Sequence, residues 1–466
     1  MIPITLRQAC LDCGGAYTGD EGLVITGVVS DTRQISDGDL FAAFDGERVN
    51  GASFAAQALQ LGARAVLTSD LDTALATGAP ETSLLVVPDV AKALGDLARA
   101  NIERIRENEN ADFRLVAVTG SVGKTTTKDL LAQILSVRGP IIAPPGSFNN
   151  EIGLPLTALR ADNSTATLVL EMGADNVGNI EYLTSIAPPD IAAVLIVARA
   201  HLGEFGGIEK VAQAKSEMLY GAREGAPIIL NADDERVADM AKLARGPVIF
   251  FSSEKEADVY ARDITDDERG CASFTMCFGD ETYPITLQLS GRHHVANALA
   301  AASIAYALGL SGETIASQLN QAHALSPHRM DVRNIGGVCI IDDSYNANPD
   351  SMRAGIAALS RIGARGRTIA VLGAMLELGD ASASEHRALA SVLAEAGVDI
   401  LVCVGQGTQE LYQAAVREGI ECHSVADAEE AYTVLCSMTA DNDTLLLKGS
   451  NGSGVWKIAD LFFGKD

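Results

Sequence analysis

Short apolar runs alternate with longer amphipathic stretches along the whole chain. The amphipathic stretches 52–62, 90–106, 125–135 and 295–309 place apolar residues at helical spacing and predict helices. The apolar runs, rich in Val, Ile and Leu, predict strands. In chain order the predicted strands are 22–29, 39–44, 63–69, 83–89, 113–118, 165–172, 192–197, 226–231, 271–278, 283–289, 337–343, 367–373, 399–405 and 443–449. Such alternation is typical of an α/β fold.

Two interruptions divide this pattern into three segments. The polar stretch 107–112 has almost no apolar periodicity, and a proline interrupts helix-like sequence within 326–330. We therefore predict a smaller N-terminal α/β domain over 1–110, a central domain over 111–325 and a C-terminal domain over 326–466. A chain of 466 residues has enough material for three cores.

The composition argues against several function classes. Asp plus Glu number 61 against 35 for Lys plus Arg, and the net charge of −26 makes a basic surface for nucleic acid or anionic membranes a poor hypothesis. No apolar run reaches the roughly 18 residues of a membrane span, and the first residues lack a signal-peptide pattern. The eight cysteines are scattered, and the C-x-x-C of Cys10 and Cys13 has no second pair at zinc-site spacing. We expect a cytoplasmic protein with free thiols.

A glycine-containing turn lies between the predicted strand that ends at Val118 and the next predicted helix. Gly120 and Gly123 permit a tight turn and let backbone N–H groups approach an anion. Lys124 can then reach phosphates, and the Thr125 hydroxyl can bind Mg²⁺. The strict pattern G-x-x-x-x-G-K-[ST] is not met, because Val118 stands in place of its first glycine. The turn predicts nucleotide binding, with an ordinary strand–helix turn as the alternative.

Two polar residues follow predicted strands at the end where ligands gather in open parallel sheets. Glu171 closes the strand 165–172, and His201 follows the strand 192–197 after a short turn. A carboxylate at the end of an apolar strand is costly without a cation, and a histidine can bind a metal or its water. An ordinary loop histidine at position 201 remains open on the pattern alone.

Six segments carry a more specific resemblance. They are TGSVGKTTT at 119–127, EMGADNVGNIEYL at 171–183, AHLGEFGG at 200–207, GRHHVANALAA at 291–301, HRMDV at 328–332 and DDSYNANPDSM at 342–352. In this order they resemble the Mur ligase family, ATP-dependent enzymes that build the peptide of peptidoglycan precursors. The resemblance covers all three predicted domains. It implies a central P-loop-type, mostly parallel sheet and a Rossmann-like C-terminal domain.

Three segments are most similar to the family members that join D-alanyl-D-alanine to UDP-N-acetylmuramoyl-tripeptide. They are SFNNEIGLPLTAL at 147–159, DDSYNANPDSM at 342–352 and LGAMLELGDASASEH at 372–386. The resemblance implies ATP, two Mg²⁺ ions, those two substrates and an acyl-phosphate intermediate. We expect a monomer, and the net charge leads us to expect no nucleic-acid partner. A related Mur-type or folylpolyglutamate-type ligase is an alternative, and a P-loop NTPase switch is an alternative of another class. The third residue of the acceptor peptide stays open.

The resemblance also assigns roles around the phosphates and metals. Thr125 and Glu171 would bind one Mg²⁺, and His201 would bind the second. Lys215 would be carbamylated, which turns a cation into an anionic metal ligand; from the pattern alone it is a helix-surface lysine. Lys124, His201 and Lys215 would be the catalytic set. The ATP phosphates would be held by Thr119, Gly120, Ser121, Val122, Gly123, Lys124, Thr125 and Thr126.

The resemblance also implies which residues contact the rest of the nucleotide, the UDP-linked substrate and the dipeptide. The rest of the nucleotide would contact Asn297, Arg329 and Asp343. The UDP-linked substrate would contact Ser30, Asp31, Arg33, Asn149 and Asn150. The incoming dipeptide would contact Asn346 and Asn348, which with Pro349 replace the charged sequence that the diaminopimelate-adding relative carries there.

Three positions depart from the family pattern. At Ile196, five residues before His201, the family commonly has Asn. At His294, directly after GRH, the family often has a second Asn. At Asn451, directly after KGS, the family has Arg. These changes leave the phosphate chemistry in place and concern hydrogen bonding around the nucleotide and the dipeptide.

Overall fold

Three larger sheets, each built from a continuous part of the chain and flanked by helices, confirm the predicted α/β class. The computed structural model describes residues 1–46, 49–108, 112–144, 146–198, 207–363 and 366–464. Nearly all the predicted strands are present, although 22–29 forms two short strands separated at residue 26.

The N-terminal part has a parallel four-stranded sheet in the order β3-β4-β5-β6, beside an antiparallel pair formed by β1 and β2. Asp89 starts the long helix α4 by accepting a hydrogen bond from the Lys92 amide. The strands are β1 Ile4–Thr5, β2 Val24–Ile25, β3 Gly27–Val29, β4 Asp39–Ala43, β5 Ala65–Thr68 and β6 Leu84–Val86. The helices are α1 Leu6–Cys13, α2 Ala55–Gln60, α3 Leu71–Ala76 and α4 Val90–Glu107.

The central part forms a nine-stranded sheet in the order β15-β14-β13-β12-β11-β10-β7-β9-β8. Pairing from β8 to β13 is parallel, and β14 and β15 continue the sheet as an antiparallel extension. The strands are β7 Arg114–Thr119, β8 Ile141–Ile142, β9 Thr167–Glu171, β10 Ile191–Val194, β11 Ile228–Asn231, β12 Val248–Ser252, β13 Val259–Asp266, β14 Cys271–Phe278 and β15 Glu281–Ser290. The helices are α5 Lys124–Leu135, α6 Gly153–Ala158, α7 Asn179–Ile186, α8 Ile208–Gly221, α9 Glu235–Asp239, α10 His294–Ala307 and α11 Gly312–Gln321.

Helices cover both faces of the central sheet. On one face Leu130 and Ile134 of α5 pack with Val295 and Leu299 of α10 in one buried cluster. The cluster on the other face is continuous with the core of the N-terminal part, because α4 contributes to it. The first two parts of the chain therefore share a core.

The C-terminal part is a six-stranded sheet in the order β16-β17-β21-β18-β19-β20. Only the edge strand β16 pairs antiparallel, so the arrangement matches the expected Rossmann-like sheet. The strands are β16 Asp331–Ile335, β17 Val338–Asp342, β18 Thr368–Gly373, β19 Ile400–Val404, β20 Glu421–Val425 and β21 Thr444–Lys448. The helices are α12 Pro349–Ile362, α13 Ser382–Glu395, α14 Gln409–Arg417, α15 Ala428–Met438 and α16 Trp456–Phe463.

The environment of the cysteines and the lengths of the helices bear on metal, redox and membrane roles. All eight cysteines are free, and burial raises the pKa of Cys13 to about 11, away from the thiolate that redox or metal chemistry needs. Across the described ranges no group of three or more His, Cys, Asp or Glu side chains is arranged to hold a metal ion. In the same ranges no helix combines the length and the apolar character needed to cross a membrane.

Candidate active site

The predicted phosphate-binding turn joins β7 to the N-terminus of α5. Gly120 has φ of 154° and Gly123 has φ of 86°, backbone conformations that favour glycine. A Cβ atom on Gly123 would lie 2.4 Å from Oδ1 of Asn297 on α10. The positive φ and the close approach of the Asn297 side chain both favour glycine at position 123, and Asn297 lies beside the helix N-terminus where an anion would sit.

Hydrogen bonds fix the turn to the ends of the two neighbouring strands. The Ser121 amide donates to the Ile196 carbonyl at 2.9 Å, and the Ala198 amide donates to Ser121 Oγ at 2.9 Å. Thr119 Oγ1 donates to the Met172 carbonyl at 2.7 Å. Ile196, one of the departures from the family pattern, thus supports the turn through its backbone.

Lys124 begins α5, and its ammonium group donates to the Gly120 carbonyl at 2.6 Å, across the mouth of the turn. Burial lowers the pKa of Lys124, while the Glu171 carboxylate opposes that shift. Val122 is half-buried within the turn, and Thr126 is buried in the first turn of the helix. The lysine is thereby held where phosphate oxygens would meet the backbone amides.

Thr125 and Glu171 form a buried oxygen cluster beside the turn. Thr125 Oγ1 lies 2.8 Å from Ser147 Oγ and 3.2 Å from Glu171 Oε2. Glu171 is fully buried, and its Oε1 atom has no hydrogen-bond partner in the described part of the chain. Burial raises its pKa, opposed by Arg329 and Lys124. A magnesium ion fits these donors, because hard oxygens and an uncompensated carboxylate oxygen suit it.

Lys215 lies on α8 and is only 3 % exposed. Burial, with the nearby charge of Lys124, lowers its pKa to about 7. The amine is therefore substantially neutral near neutral pH, unlike the surface lysine that the helix pattern suggests. His201, predicted to bind a second metal ion, lies outside the described residues.

Arg329 enters the site from the segment that leads into the C-terminal sheet. Its Nη2 donates to Ser147 Oγ at 2.8 Å, and its guanidinium lies 4.2 Å from the centre of the Tyr345 ring. Asp343, on the same loop as Tyr345, pairs with Lys448 at 2.5 Å. The structure thus brings Arg329 to the Thr125 cluster, while Asp343 is engaged with a buried lysine.

Beside the turn, His294 replaces the amide that the family commonly has. Its Nδ1 lies 3.2 Å from Nδ2 of Asn297, and its buried Nε2 has no partner among the described residues. Burial lowers the pKa of His294 well below its usual range, with His293 adding to the shift, so the ring is neutral. A neutral imidazole can both accept and donate a hydrogen bond, which is the capacity of the amide that it replaces.

The residues expected to contact the UDP-linked substrate divide between two places. Asn149 and Asn150 line a cavity of about 520 Å³ between the start of α4 and the loop before α7. Asn150 Oδ1 also accepts a hydrogen bond from the amide of Gly153, the first residue of α6, at 2.9 Å. Asp31 and Arg33 pair with each other at 2.6 Å at the end of β3, next to the exposed Ser30.

The two asparagines assigned to the dipeptide differ in their surroundings. Asn348 is the N-cap of α12. Its Oδ1 accepts from the Ser351 amide at 2.8 Å, and the Asn348 amide donates to Ser351 Oγ at 3.0 Å. Asn346 is exposed, and its carbonyl accepts from Lys448 at 3.0 Å. Asn348 shapes the loop, whereas Asn346 remains accessible. The third departure, Asn451, accepts from the indole of Trp456 through its carbonyl at 3.2 Å.

Sequence reasoning singled out the motifs but missed individual residues within them. Ser147, Tyr345 and Lys448 all contact predicted site residues, and they lie in the segments SFNN, DDSYN and KGS. A signal therefore existed, since Tyr345 directly precedes Asn346, Ser147 lies two residues before Asn149, and Lys448 begins the KGS sequence. Only the packing of the structure shows which side chains of these segments point into the site.

The fold and the site together define a nucleotide-binding α/β protein of three parts with a P-loop-type turn. Family models match the chain in three stretches: the Mur ligase family catalytic domain at 24–101, the Mur ligase middle domain at 118–305 and the Mur ligase glutamate ligase domain at 328–451. The chain belongs to the Mur ligase family.

Individual relatives and solved structures show a more specific similarity within this family. The chain is 39 % identical to the UDP-N-acetylmuramoyl-tripeptide–D-alanyl-D-alanine ligase of Mycobacterium bovis, over 100 % of this chain and 99 % of that protein. A crystal structure of MurF from Acinetobacter baumannii superposes with a TM-score of 0.86 at 32 % identity, covering 99 % of both chains. MurF ligase from Thermotoga maritima, solved in complex with ADP, gives a TM-score of 0.79 at 29 % identity, covering 94 % of this chain and 97 % of that one.

Proposed function

We propose that this chain is an ATP-dependent ligase that joins D-alanyl-D-alanine to UDP-N-acetylmuramoyl-tripeptide in peptidoglycan precursor synthesis. The observation that carries the proposal is the buried cluster of Thr125, Ser147, Glu171 and Arg329 at the phosphate-binding turn. The full-length similarity to relatives with that activity supports it. Matches across all three parts favour a ligase over a P-loop switch, which would not need a third domain aimed at the nucleotide.

The chemistry needs no enzyme nucleophile. A peptide carboxylate oxygen attacks the γ-phosphorus of ATP, ADP leaves, and an acyl phosphate forms. The free amine of the dipeptide then attacks the acyl carbon, loses a proton, and expels inorganic phosphate. Lys124 and Arg329 offset negative charge on the transferring phosphoryl group, and the turn amides orient it. A Mg²⁺ ion held by Thr125 and Glu171 would supply further charge compensation when bound, with His201 assigned to a second ion.

Lys215 is proposed to carry a carbamate. The nitrogen of the neutral amine attacks CO₂, a C–N bond forms, one proton leaves, and an anionic oxygen ligand results. A buried ammonium beside Lys124 is unfavourable, whereas the carbamate would be attracted to the same cations. The pKa of about 7 supports the proposal, because a neutral amine is available near neutral pH.

Each ligand is proposed to have its own domain, with boundaries after 110 and after 325. The part over 1–110 would hold UDP, the part over 111–325 ATP, and the part over 326–466 the dipeptide. The three separate sheets support this division. Closure of the parts would exclude water from the acyl phosphate. We further propose a monomer that acts in the cytoplasm, which light scattering and cell fractionation would test.

The test is ligation with purified substrates. ADP release should require both UDP-N-acetylmuramoyl-tripeptide and D-alanyl-D-alanine, and mass spectrometry should find the acceptor enlarged by one dipeptide minus water. The amine panel should include D-glutamate, L-alanine and meso-diaminopimelate, because a single amino acid would leave polar groups of a dipeptide pocket unpaired. Faster turnover with any single amino acid would overturn the substrate assignment. Comparing the ligation rates of acceptors that differ in the third residue of the peptide identifies the residue that the enzyme accepts there.

A further inference from the structure

We propose that Lys128 and Asp129, a buried ion pair on α5, are positioning residues that hold Arg329 against the Thr125–Ser147 pair. The proposal deepens the proposed function and rests on it, because it concerns how Arg329 is presented to the phosphates. Both side chains lie one turn beyond the phosphate-binding turn, with exposures of 3 % and 5 %. Charged side chains are rarely buried so completely unless specific partners compensate them.

Asp129 holds the segment that carries Arg329. Its Oδ2 accepts from the Ser326 amide at 3.0 Å, three residues before the arginine. Gln133, one turn further along α5, reinforces this: its side chain donates to the His323 carbonyl at 2.9 Å and accepts from the His323 amide at 3.1 Å. The polypeptide that leads into the C-terminal sheet is thus hydrogen-bonded to the helix that begins at the phosphates.

Lys128 holds the segment that carries Ser147. Its ammonium group donates to the Pro144 carbonyl at 2.8 Å, three residues before the serine, and pairs with Asp129 Oδ1 at 2.5 Å. A carboxylate and an ammonium on adjacent residues therefore reach two separate segments of the chain. Each segment presents one member of the Arg329–Ser147 contact.

The connections close a ring. Arg329 donates to Ser147 at 2.8 Å, and Ser147 lies 2.8 Å from Thr125, which is on the same helix as the ion pair. The helix therefore fixes the cross-domain contact directly through Thr125 and indirectly through the two anchored segments. If the hydrogen bond between Asp129 and Ser326 is lost, Arg329 loses one constraint on its position beside the phosphates. Because Arg329 offsets charge on the transferring phosphoryl group, its misplacement slows the chemical step rather than weakening binding.

The decisive variant is Asp129→Asn, which keeps the shape and removes the charge. We expect kcat for ligation to fall roughly tenfold to a hundredfold, with the KM for D-alanyl-D-alanine changed little. The matched control is Asp443→Asn. Asp443 is also buried, pairs with Arg367 and accepts a hydrogen bond from the Ala440 amide, away from the site. The control should lower the unfolding midpoint and leave kcat unchanged at temperatures well below that midpoint.

A double-mutant cycle separates positioning from general damage. If Asp129 acts through Arg329, adding Asp129→Asn to Arg329→Ala should reduce kcat by less than about twofold further. Lys128→Met with Ser147→Ala gives an independent cycle from the other segment, which suffices if Asp129→Asn does not fold. Full additivity in the cycle, or wild-type kcat for the single variants, would overturn the inference. Absence of ligation by the wild-type chain would instead overturn the proposed function.

Discussion

Two charged regions of this molecule are built in opposite ways. At the reaction centre Glu171 is fully buried and Lys215 is 3 % exposed, and burial perturbs the pKa of both. At the end of the N-terminal sheet, the Arg33 side chain is 87 % exposed and pairs locally with Asp31. That hydrogen bond lowers the pKa of Asp31 to about 2 while both groups stay solvated. The buried charges at the proposed reaction centre are held at a desolvation cost, whereas the pair proposed to contact the UDP-linked substrate stays solvated.

The comparison predicts how substitutions should act. Removing a buried charge at the reaction centre changes the energy of the transition state and the stability of the fold together. Removing the exposed pair changes how the substrate is held, with little effect on the chemical step.

Lys124→Ala should lower kcat by about a thousandfold, because the lysine compensates charge on the transferring phosphoryl group. The matched control is Lys242→Ala, an exposed lysine paired with Asp239. Steady-state ADP release and circular dichroism of both variants make the test. A variant that keeps more than a tenth of wild-type kcat, a barrier change below about 1.4 kcal/mol, contradicts the assigned role.

Lys215→Ala should lower kcat by about a hundredfold, because it removes a ligand of the proposed metal site. A short-chain carboxylic acid added to this variant should restore part of the rate by occupying the vacated space. Lys215→Glu should rescue little, since its carboxylate is on a shorter arm. Near-wild-type activity in Lys215→Ala, or no carbamate signal from labelled CO₂ by NMR in the wild type, would remove the carbamate from the account.

Lys215→Met should raise the free energy of unfolding by about 1–3 kcal/mol in CO₂-depleted buffer, although it inactivates the enzyme. The folded lysine binds fewer protons than the unfolded one, because burial lowers its pKa from 10.5 to about 7. The gain is therefore largest below pH 7 and shrinks as the pH rises from about 7 toward 10.5. Urea titrations of this variant and of the control Lys242→Met at pH 6 and pH 9 measure it. An equal gain at both pH values means that the buried charge is not its source.

Arg33→Ala should raise the KM for the UDP-linked substrate by roughly tenfold, the effect of losing one charge-assisted hydrogen bond, and leave kcat nearly unchanged. Arg64→Ala is the control, because Arg64 also forms a surface pair, with Asp37, in the same part of the chain. A change in kcat larger than that in KM places Arg33 outside recognition. Unfolding midpoints should stay at the wild-type value in both variants.

The fold was largely predictable because its inner strands are continuous apolar runs. Strands at sheet edges were missed: β8 has two residues, and β16 and β20 carry exposed polar side chains. The inner strand β12 was also not predicted, although its sequence is largely apolar. The strand β13 lies within the charged stretch 252–270 and was also not predicted, since its second half exposes Arg262 and Asp263. Pairing with neighbours, rather than local pattern, decides such segments.

The site was predictable at the turn and less so beyond it. The apolar face of α5 identified Leu130, Leu131, Ile134 and Leu135, all of which are buried. The burial of Lys128 could not be read from the pattern, because lysine is usually exposed and its partners are an adjacent carboxylate and a distant carbonyl. Tertiary compensation of charge is invisible in a single sequence.

The most direct test of the account is to follow oxygen through the reaction. The proposed mechanism transfers one carboxylate oxygen of the acceptor to phosphorus. Acceptor labelled with ¹⁸O in its reacting carboxylate should therefore give inorganic phosphate that carries one ¹⁸O atom for each dipeptide joined. Phosphate without the label, formed at the rate of ligation, would contradict attack of the carboxylate on ATP and the acyl phosphate with it.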